Sequence, residues 1–239
     1  MNMKALRRVE NLLTVSSQKG FSRSRKGVLN RLMDLSDQSA AAYIHDELLE
    51  TETIVFSTKQ GLRDHFFGEE QVKQVAGQVL DFGVATGAST LMLGDALRSS
   101  PDREVVGFDA FLGIRDAWSK VDRLPGSMNL DGLVPDELLA HPKISVQVGW
   151  VEDTLPPFLK KNGDAIALAH LDLDVYPPTR FALEALKPLL VSGSRLIFDD
   201  YFGFIGWQAH SHLAFSEVFE RREFRCVGLS PANVAFQFL

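Results

Sequence analysis

The sequence predicts an α/β protein with N-terminal helices, a mixed and mostly parallel sheet, and a C-terminal antiparallel hairpin. Three observations favour this class. Strand-like and helical segments alternate at least four times from residue 78 onward, which is typical of parallel βαβ units. Residues 165–171 lack Asp, Glu, Lys and Arg, as in a strand buried on both faces of a sheet. Two final apolar segments, 224–229 and 233–239, flank Ser230-Pro-Ala and predict the hairpin.

Composition sets the broad class. The 239 residues, 45% of them hydrophobic, suffice for one α/β domain with a sizeable core. No window is long and apolar enough to span a bilayer, and no apolar segment follows the first charged residues, so we expect neither a membrane association nor a signal peptide. Cys226 is the only cysteine, which suits a reducing compartment, and we expect a cytoplasmic protein. The formal charge of −6 argues against nucleic acid as a partner.

Residues 1–50 are expected to form a helical N-terminal arm, and residues 51–239 the main domain. Basic residues are concentrated at the start of the arm. We interpret this stretch as solvated. The alternative is a docking arm for an acidic partner or a second subunit, which would allow a homodimer. The basic residues are Arg7, Arg8, Lys19, Arg23, Arg25, Lys26 and Arg31.

The remaining elements follow in order. Two helices are predicted to precede the sheet. One runs through residues 40–49, and the other starts at Glu69 and is ended by Gly77. Residues 113–135 are rich in glycine and proline and predict a loop or lid. A loop of this length inside a compact domain is usually functional. The predicted strands are 79–83, 104–109, 144–148, the run that starts at 165, and 194–198, and the predicted helices are 88–98, 154–161, 178–190 and 209–222.

Two of the predicted strands end in pairs of carboxylates. Asp172 and Asp174 follow the buried run, and because they are two residues apart their side chains leave the strand on the same face. Asp199 and Asp200 end the strand at 194–198. Parallel neighbouring strands would bring these acids to one edge of the sheet, where open α/β folds bind ligands. Crowded carboxylates repel one another, and a hard divalent cation with oxygen ligands is the usual remedy.

The first strand–turn–helix unit reads Asp81-Phe-Gly83-Val-Ala-Thr-Gly87. Its glycines allow the backbone to approach a ligand closely, and the start of the next helix offers unpaired N–H groups. The triple glycine of dinucleotide-binding folds is absent. An acid before the first glycine would repel a diphosphate but would pair with a cationic amino group, such as that of S-adenosylmethionine. Asp109, which ends the second strand, is placed to accept hydrogen bonds from ribose hydroxyls, a feature shared with NAD-binding proteins.

Five segments between residue 78 and about residue 220 carry a family resemblance. They are Leu80-Asp-Phe-Gly-Val-Ala-Thr-Gly-Ala-Ser89, Gly107-Phe-Asp-Ala-Phe-Leu-Gly113, Gly149-Trp-Val-Glu-Asp-Thr-Leu-Pro156, His170-Leu-Asp-Leu-Asp-Val-Tyr176 and Ile197-Phe-Asp-Asp-Tyr201. As an ordered set they resemble the macrocin-type sugar O-methyltransferases of antibiotic biosynthesis. This family is a metal-dependent branch of the class I S-adenosylmethionine-dependent methyltransferases. The resemblance implies a Rossmann-like class I methyltransferase fold, with S-adenosylmethionine and Mg²⁺ as cofactors.

The resemblance also implies roles for individual residues. Mg²⁺ would be bound by Asp172, Asp199 and Asp200, and Asp174 would be the general base. The expected cofactor-binding residues come from the first turn, the end of the second strand, the segment after the third strand and the acidic edge: Asp81, Phe82, Gly83, Val84, Ala85, Gly87, Ser89, Asp109, Ala110, Phe111, Trp150, Val151, Glu152 and Asp172.

The implied function is methyl transfer to a hydroxyl of a sugar or a glycosylated small molecule. Two other classes stay open. One is a non-catalytic protein that binds S-adenosylmethionine or S-adenosylhomocysteine and serves as an interaction subunit. The other is an NAD-binding oxidoreductase, which the missing triple glycine disfavours.

Some candidate residues have structural alternatives. Asp174 could instead cap the helix that follows it, and Asp199-Asp200 could form a turn. His170 lies inside the apolar strand and is expected to be a core histidine with its hydrogen bonds satisfied. His210 and His212 are expected to be solvated helix residues.

Overall fold

The structure is a computed structural model that describes residues 22–115 and 126–239, with side chains from residue 30 onward. The first 21 residues of the predicted arm and the middle of the predicted 113–135 loop lie outside this part of the chain. Within it, no helix combines the length and the apolar character that crossing a membrane requires.

An eight-stranded sheet forms the centre of the described fold. Its strands are β1 (Ile54–Val55), β2 (Gln78–Phe82), β3 (Val105–Asp109), β4 (Ile144–Val148), β5 (Ile166–Leu171), β6 (Leu190–Phe198), β7 (Phe224–Leu229) and β8 (Val234–Phe238). Their spatial order is β1-β7-β8-β6-β5-β2-β3-β4. β8 is antiparallel to β6 and β7, and the other neighbours are parallel. The predicted mixed sheet with a C-terminal hairpin is therefore confirmed.

The helices cover both faces of this sheet. They are α1 (Ser22–Tyr43), α2 (Lys59–Phe66), α3 (Glu69–Lys73), α4 (Ala88–Ala96), α5 (Asp136–Ala140), α6 (Val151–Lys161), α7 (Tyr176–Leu186) and α8 (Ser211–Val218). A π-helical turn, Ile44–Leu48, continues α1, and 3₁₀ segments lie at Lys187–Leu189, Trp207–Ala209 and Arg221–Glu223. Alternate residues of β2 enter different apolar clusters: Leu80 and Phe82 join one, and Val79 joins the other.

Three helices illustrate where the structure differs from the prediction. The helix predicted at 178–190 ends earlier, because Pro188 lies in a 3₁₀ segment and cannot donate the backbone bond that an α-helix requires. The helix predicted at 209–222 ends at Val218. Helix α2 was not predicted, although Thr58 caps it by accepting a hydrogen bond from the Gly61 N–H at 3.0 Å.

Helix α1 is attached to the segment that follows β6. The Ser36 hydroxyl donates to the Phe204 carbonyl at 2.9 Å, and the Trp207 indole N–H donates to the Ser39 hydroxyl at 3.1 Å. The Gln208 amide donates to the same hydroxyl at 3.2 Å. The described part of the arm therefore packs on the main domain, while the domain boundary at residue 50 stays a prediction.

Candidate active site

The carboxyl ends of β2, β5 and β6 meet at one edge of the sheet. The Asp172 N–H donates to the Phe82 carbonyl at 2.9 Å, and the Asp199 N–H donates to the Leu171 carbonyl at 3.1 Å. These two hydrogen bonds extend the pairing of β5 with β2, and of β6 with β5, just beyond the carboxyl ends of the strands. The two acidic strand ends therefore lie beside each other, as the sequence predicted.

A cavity opens at this edge of the sheet. The predicted residues that line it are Gly83, Ala85, Asp109, Ala110, Trp150, Val151, Glu152, Asp172 and Asp174. The cavity thus joins residues of the expected cofactor site to the expected catalytic base. The other expected cofactor-binding residues, Phe82, Val84, Gly87, Ser89, Phe111 and Asp81, are outside the lining that the described residues form, and their roles stay predictions.

The described flanks of the 113–135 loop also line the cavity, through Ile114 and Met128 among others. The two flanks bind each other: the Ile114 N–H donates to the Ser127 carbonyl at 3.0 Å, and the Gly126 N–H donates to the Ile114 carbonyl at 2.8 Å. This pairing holds the base of the predicted lid next to the cavity.

The turn after β2 requires glycine at position 83. Gly83 has a φ of 84°, which residues with a Cβ rarely adopt. A Cβ at Gly83 would also lie 2.0 Å from the Asp172 carbonyl oxygen. The turn and the acidic edge are therefore in direct backbone contact.

Asp109 fixes this turn from the neighbouring strand. Its carboxylate accepts hydrogen bonds from the Ala85 N–H at 2.8 Å and from the Phe111 N–H at 2.7 Å. Burial raises the pKa of Asp109, and these backbone hydrogen bonds oppose the rise. Asp109 thus ties the turn after β2 to the end of β3 while its side chain faces the cavity.

Asp81 lies beneath the cavity. Its side chain is fully buried and accepts hydrogen bonds from the hydroxyls of Ser89 at 2.9 Å and Thr90 at 2.6 Å. His170 Nδ1 lies 2.7 Å from its other oxygen. Asp81 therefore binds the start of α4 and the carboxyl-terminal part of β5.

His170 is a core histidine, as predicted. It is fully buried, and its ring lies between two carboxylates, with Nε2 3.7 Å from Asp199 Oδ1. The distance exceeds that of a hydrogen bond, and Nε2 has no hydrogen-bond partner among the described residues. The expectation that both ring nitrogens would be satisfied is therefore wrong for Nε2.

Helix α2 brings two cations to Asp199. Lys59 Nζ contacts Asp199 Oδ2, and Arg63 Nη2 contacts Asp199 Oδ1 and lies 3.8 Å from Asp172 Oδ2. The Asn233 amide also donates to Asp199 Oδ1, at 2.9 Å. Sequence analysis missed both cations. The available signal is their spacing of four residues, which puts them on one face of a helix.

The acidic edge contains two groups of closely spaced ligand atoms. Asp172, Asp174 and Asp200 each offer a carboxylate oxygen, and these atoms lie within 4.8 Å of one another. His170, Asp172 and Asp199 form the second group by the same measure. Carboxylate oxygens are the donors that Mg²⁺ prefers, so the donor set fits this ion. The predicted ligands Asp172, Asp199 and Asp200 are divided between the two groups, with Asp172 in both.

Asp172 occupies the centre of this cluster. Burial raises its pKa, whereas the neighbouring His170 and Lys59 act in the opposite direction. A carboxylate in this position gains from any additional cation, because desolvation disfavours its charged form.

Asp174 has a backbone conformation that few residues adopt. Its φ is 63°, in the left-handed region that aspartate tolerates better than most residues. The N-cap position of α7 is occupied by Val175, without a side-chain capping bond. Asp174 therefore precedes the N-cap position of α7, and strain of this kind is common at functional sites.

The prediction that His210 and His212 are solvated is also wrong. His210 is buried, and His212 packs against Tyr43 with ring centroids 4.7 Å apart and against Trp207 at 4.9 Å. Burial lowers the pKa of both histidines to about 4. Tyr43 of α1 covers His212, whereas His210 packs against Phe204, and neither contact could be placed from sequence.

Arg115 is a further residue at this cavity that the sequence analysis did not identify. Its guanidinium lies 4.5 Å from the ring centroid of Trp150, and Nη2 lies 2.6 Å from Glu152 Oε1. The other Glu152 oxygen is buried and has no hydrogen-bond partner among the described residues. Arg115 therefore covers two of the expected cofactor-binding residues, Trp150 and Glu152.

Comparison with known proteins agrees with this architecture. Residues 80–201 match a family described as "Methyltransferase domain". The chain is 29% identical over 143 residues to the 8-demethyl-8-(2,3-dimethoxy-alpha-L-rhamnosyl)-tetracenomycin-C 4'-O-methyltransferase of Streptomyces olivaceus, a match that covers 53% of this chain and 54% of that protein. The match thus spans about half the length of this curated relative.

Two solved structures have the same fold. The crystal structure of CalS11, a calicheamicin methyltransferase, has a TM-score of 0.58 and 23% identity, and the match covers 98% of this chain and 91% of that one. The O-methyltransferase NovP has a TM-score of 0.53 and 21% identity, with 87% of this chain and 98% of that one covered. Because the family match covers about half of the chain, this protein belongs to the methyltransferase-domain family and has the class I methyltransferase fold.

Proposed function

We propose that this protein is an S-adenosylmethionine-dependent, Mg²⁺-assisted O-methyltransferase that acts on a hydroxyl of a sugar or a glycosylated small molecule. One observation carries the proposal: a single cavity is lined by the glycine turn and by the acidic edge, through Gly83, Asp109, Asp172 and Asp174. The family membership supports methyl transfer. The tetracenomycin relative, which is named as an enzyme that methylates at a 4' oxygen, supports a glycoside as the acceptor.

The cavity would provide the contacts that the cofactor needs. S-adenosylmethionine would supply the methyl group. Asp109 would accept hydrogen bonds from its ribose hydroxyls, and Trp150 and Glu152 would contact its adenine. The backbone at Gly83 would approach its methionine end. Asp81 would support this end from below, because its carboxylate is bound to Ser89, Thr90 and His170.

The acidic edge would bind the metal and the acceptor. Asp172, Asp199 and Asp200 would hold Mg²⁺, which as a Lewis acid would lower the pKa of the acceptor hydroxyl. Cavity walls that hold the acceptor oxygen in line with the methyl group would contribute much of the rate enhancement.

Asp174 would remove the proton from the acceptor hydroxyl. It lines the same cavity as Asp172, and its side chain is largely buried. Aspartate is a weak base in water, so its role depends on prior activation of the hydroxyl.

The first test is calorimetry with S-adenosylhomocysteine, with and without Mg²⁺, followed by methyl transfer to a panel of glycosides and sugar nucleotides. We expect micromolar binding of S-adenosylhomocysteine, and transfer that EDTA abolishes. Absence of S-adenosylhomocysteine binding under every condition would contradict the proposal, and NAD and NADP titrations would then test the oxidoreductase alternative. Binding without transfer to any acceptor would favour the non-catalytic alternative.

A further inference from the structure

The two cations at Asp199 differ in their surroundings. The Lys59 side chain is 44% exposed, whereas the Arg63 side chain is 14% exposed and also faces Asp172. Lysine has a flexible stem and a strongly hydrated ammonium group, whereas the arginine fork is rigid and suits buried ion pairs. Lys59 is therefore the more easily displaced of the two cations.

Asp199 is itself almost completely buried, with 2% of its side chain exposed. Each of its oxygens already has a cationic partner: Arg63 contacts Oδ1, and Lys59 contacts Oδ2. Asn233 adds a hydrogen bond to Oδ1. A metal ion that binds Asp199 must therefore approach through Oδ2, where Lys59 lies.

We propose that Lys59 and a divalent cation compete for the Asp199 carboxylate, so that Lys59 sets how tightly the acidic edge binds metal. This inference rests on the metal site of the proposed function. With metal absent, Lys59 neutralises Asp199, and with metal bound, Lys59 turns outward into solvent. Arg63 stays in place in both states and keeps Asp172 and Asp199 next to each other.

The direction of the effect follows from electrostatics. A positive charge next to a carboxylate lowers the affinity of that carboxylate for a proton by about one to three pKa units. The same positive charge should also lower the affinity of the carboxylate for a metal ion. Removing the charge of Lys59 should therefore tighten metal binding by about tenfold or more, even though Lys59 contributes no atom to the metal site.

The experiment is a titration of the full chain with Mn²⁺, followed by electron paramagnetic resonance of the free ion and repeated with Mg²⁺ by calorimetry. Lys59→Met and Lys59→Gln both remove the charge of Lys59 but differ in side-chain shape. If one of the two variants does not fold, the other still provides the test. Lys59→Arg keeps the charge and should bind metal no more tightly than the unmodified protein. Lys73→Met is the matched control, because Lys73 forms its salt bridge with Glu69, away from the acidic edge.

We expect Lys59→Met and Lys59→Gln to bind Mn²⁺ more tightly, and Lys73→Met to bind it unchanged. Unchanged or weaker binding in both Lys59 variants overturns the inference. The S-adenosylhomocysteine affinity of each sample separates the two proposals. If no variant binds metal while S-adenosylhomocysteine still binds, the competition and the metal are both excluded, and the assignment as a methyltransferase stands.

Discussion

His170 Nδ1 lies 2.7 Å from Asp81 Oδ1, and neither side chain is accessible to solvent. This contact joins β5 to β2 near the carboxyl ends of both strands. Asp81 in turn accepts hydrogen bonds from Ser89 and Thr90 at the start of α4. The strand that leads to the acidic edge and the helix that follows the glycine turn therefore share one buried carboxylate.

Loss of this contact should destabilise the protein. His170→Phe would leave Asp81 as a buried carboxylate without its imidazole partner, and removing the hydrogen-bond partner of a buried polar group costs about 1–3 kcal/mol. Urea denaturation should show a lower free energy of unfolding for His170→Phe, and a smaller loss for His170→Asn, which can still donate a hydrogen bond. A loss below about 0.5 kcal/mol for His170→Phe, the size of a neutral surface change, would contradict this interpretation.

Substitution of Gly83 should affect both halves of the site. In Gly83→Ala the new Cβ meets the Asp172 carbonyl oxygen, and alanine is strained at a positive φ. We expect lower stability by about 1–3 kcal/mol, together with weaker binding of S-adenosylhomocysteine. Gly126→Ala is a suitable control. Gly126 also has a positive φ, but no atom of the described residues, apart from Gly126 and its two chain neighbours, lies within 4 Å of the Cβ that alanine would add. It should lose stability but keep its affinity for S-adenosylhomocysteine.

Arg115 should contribute to cofactor affinity through Trp150 and Glu152. Arg115→Met removes a cation–π contact and an ion pair that are partly exposed, and such contacts are worth up to about 1 kcal/mol each. Calorimetry should show a several-fold weaker affinity for S-adenosylhomocysteine. Arg98→Met, which removes an exposed pair with Asp95, should leave the affinity unchanged, and equal effects of the two substitutions would rule out a specific role for Arg115.

Asp174 is expected to act in the chemical step. Asp174→Asn should lower kcat by about 10²–10⁴-fold, the usual contribution of a general base, while S-adenosylhomocysteine affinity stays within about threefold. Single-turnover methyl transfer measures the step directly. Asp153→Asn, at an exposed position of α6, provides the comparison, and a kcat for Asp174→Asn equal to that of this control would exclude the role of base.

His210 and His212 should make stability depend on pH. Their pKa values in the folded protein are about 4, below the ~6.5 of a solvated histidine, so the unfolded chain binds more protons between these values. The free energy of unfolding should therefore fall as the pH falls from about 6.5 towards 4, with a limiting slope of ~1.4 kcal/mol per pH unit for each histidine. Thermal unfolding at several pH values should show a shallower fall for His212→Gln. An identical fall in this variant would mean that other groups cause the acid sensitivity.

The sequence predicted the features that depend on local pattern. The buried strand at β5, the acids that follow β5 and β6, and the glycine at position 83 could all be found in this way, because strand burial, strand order and positive φ leave signals in the residues themselves.

The features that were missed depend on contacts between distant segments. Lys59 and Arg63 reach Asp199 across more than 130 residues of sequence. His212 is covered by α1 through Tyr43, and Arg115 lies over Trp150, which is distant from it in the sequence. The four-residue spacing of Lys59 and Arg63 indicates a shared helix face, but no short-range pattern indicates which distant side chains any of these residues contact.

The hydrogen bonds that join Ser36 and Ser39 to the segment around Phe204 and Trp207 have a consequence for protein engineering. A chimaera that exchanges the aromatic segment after β6 with that of a related protein, but keeps the original α1, would pair two surfaces that did not evolve together. The two pieces should therefore be transplanted as one module, even though more than 160 residues separate them in the chain.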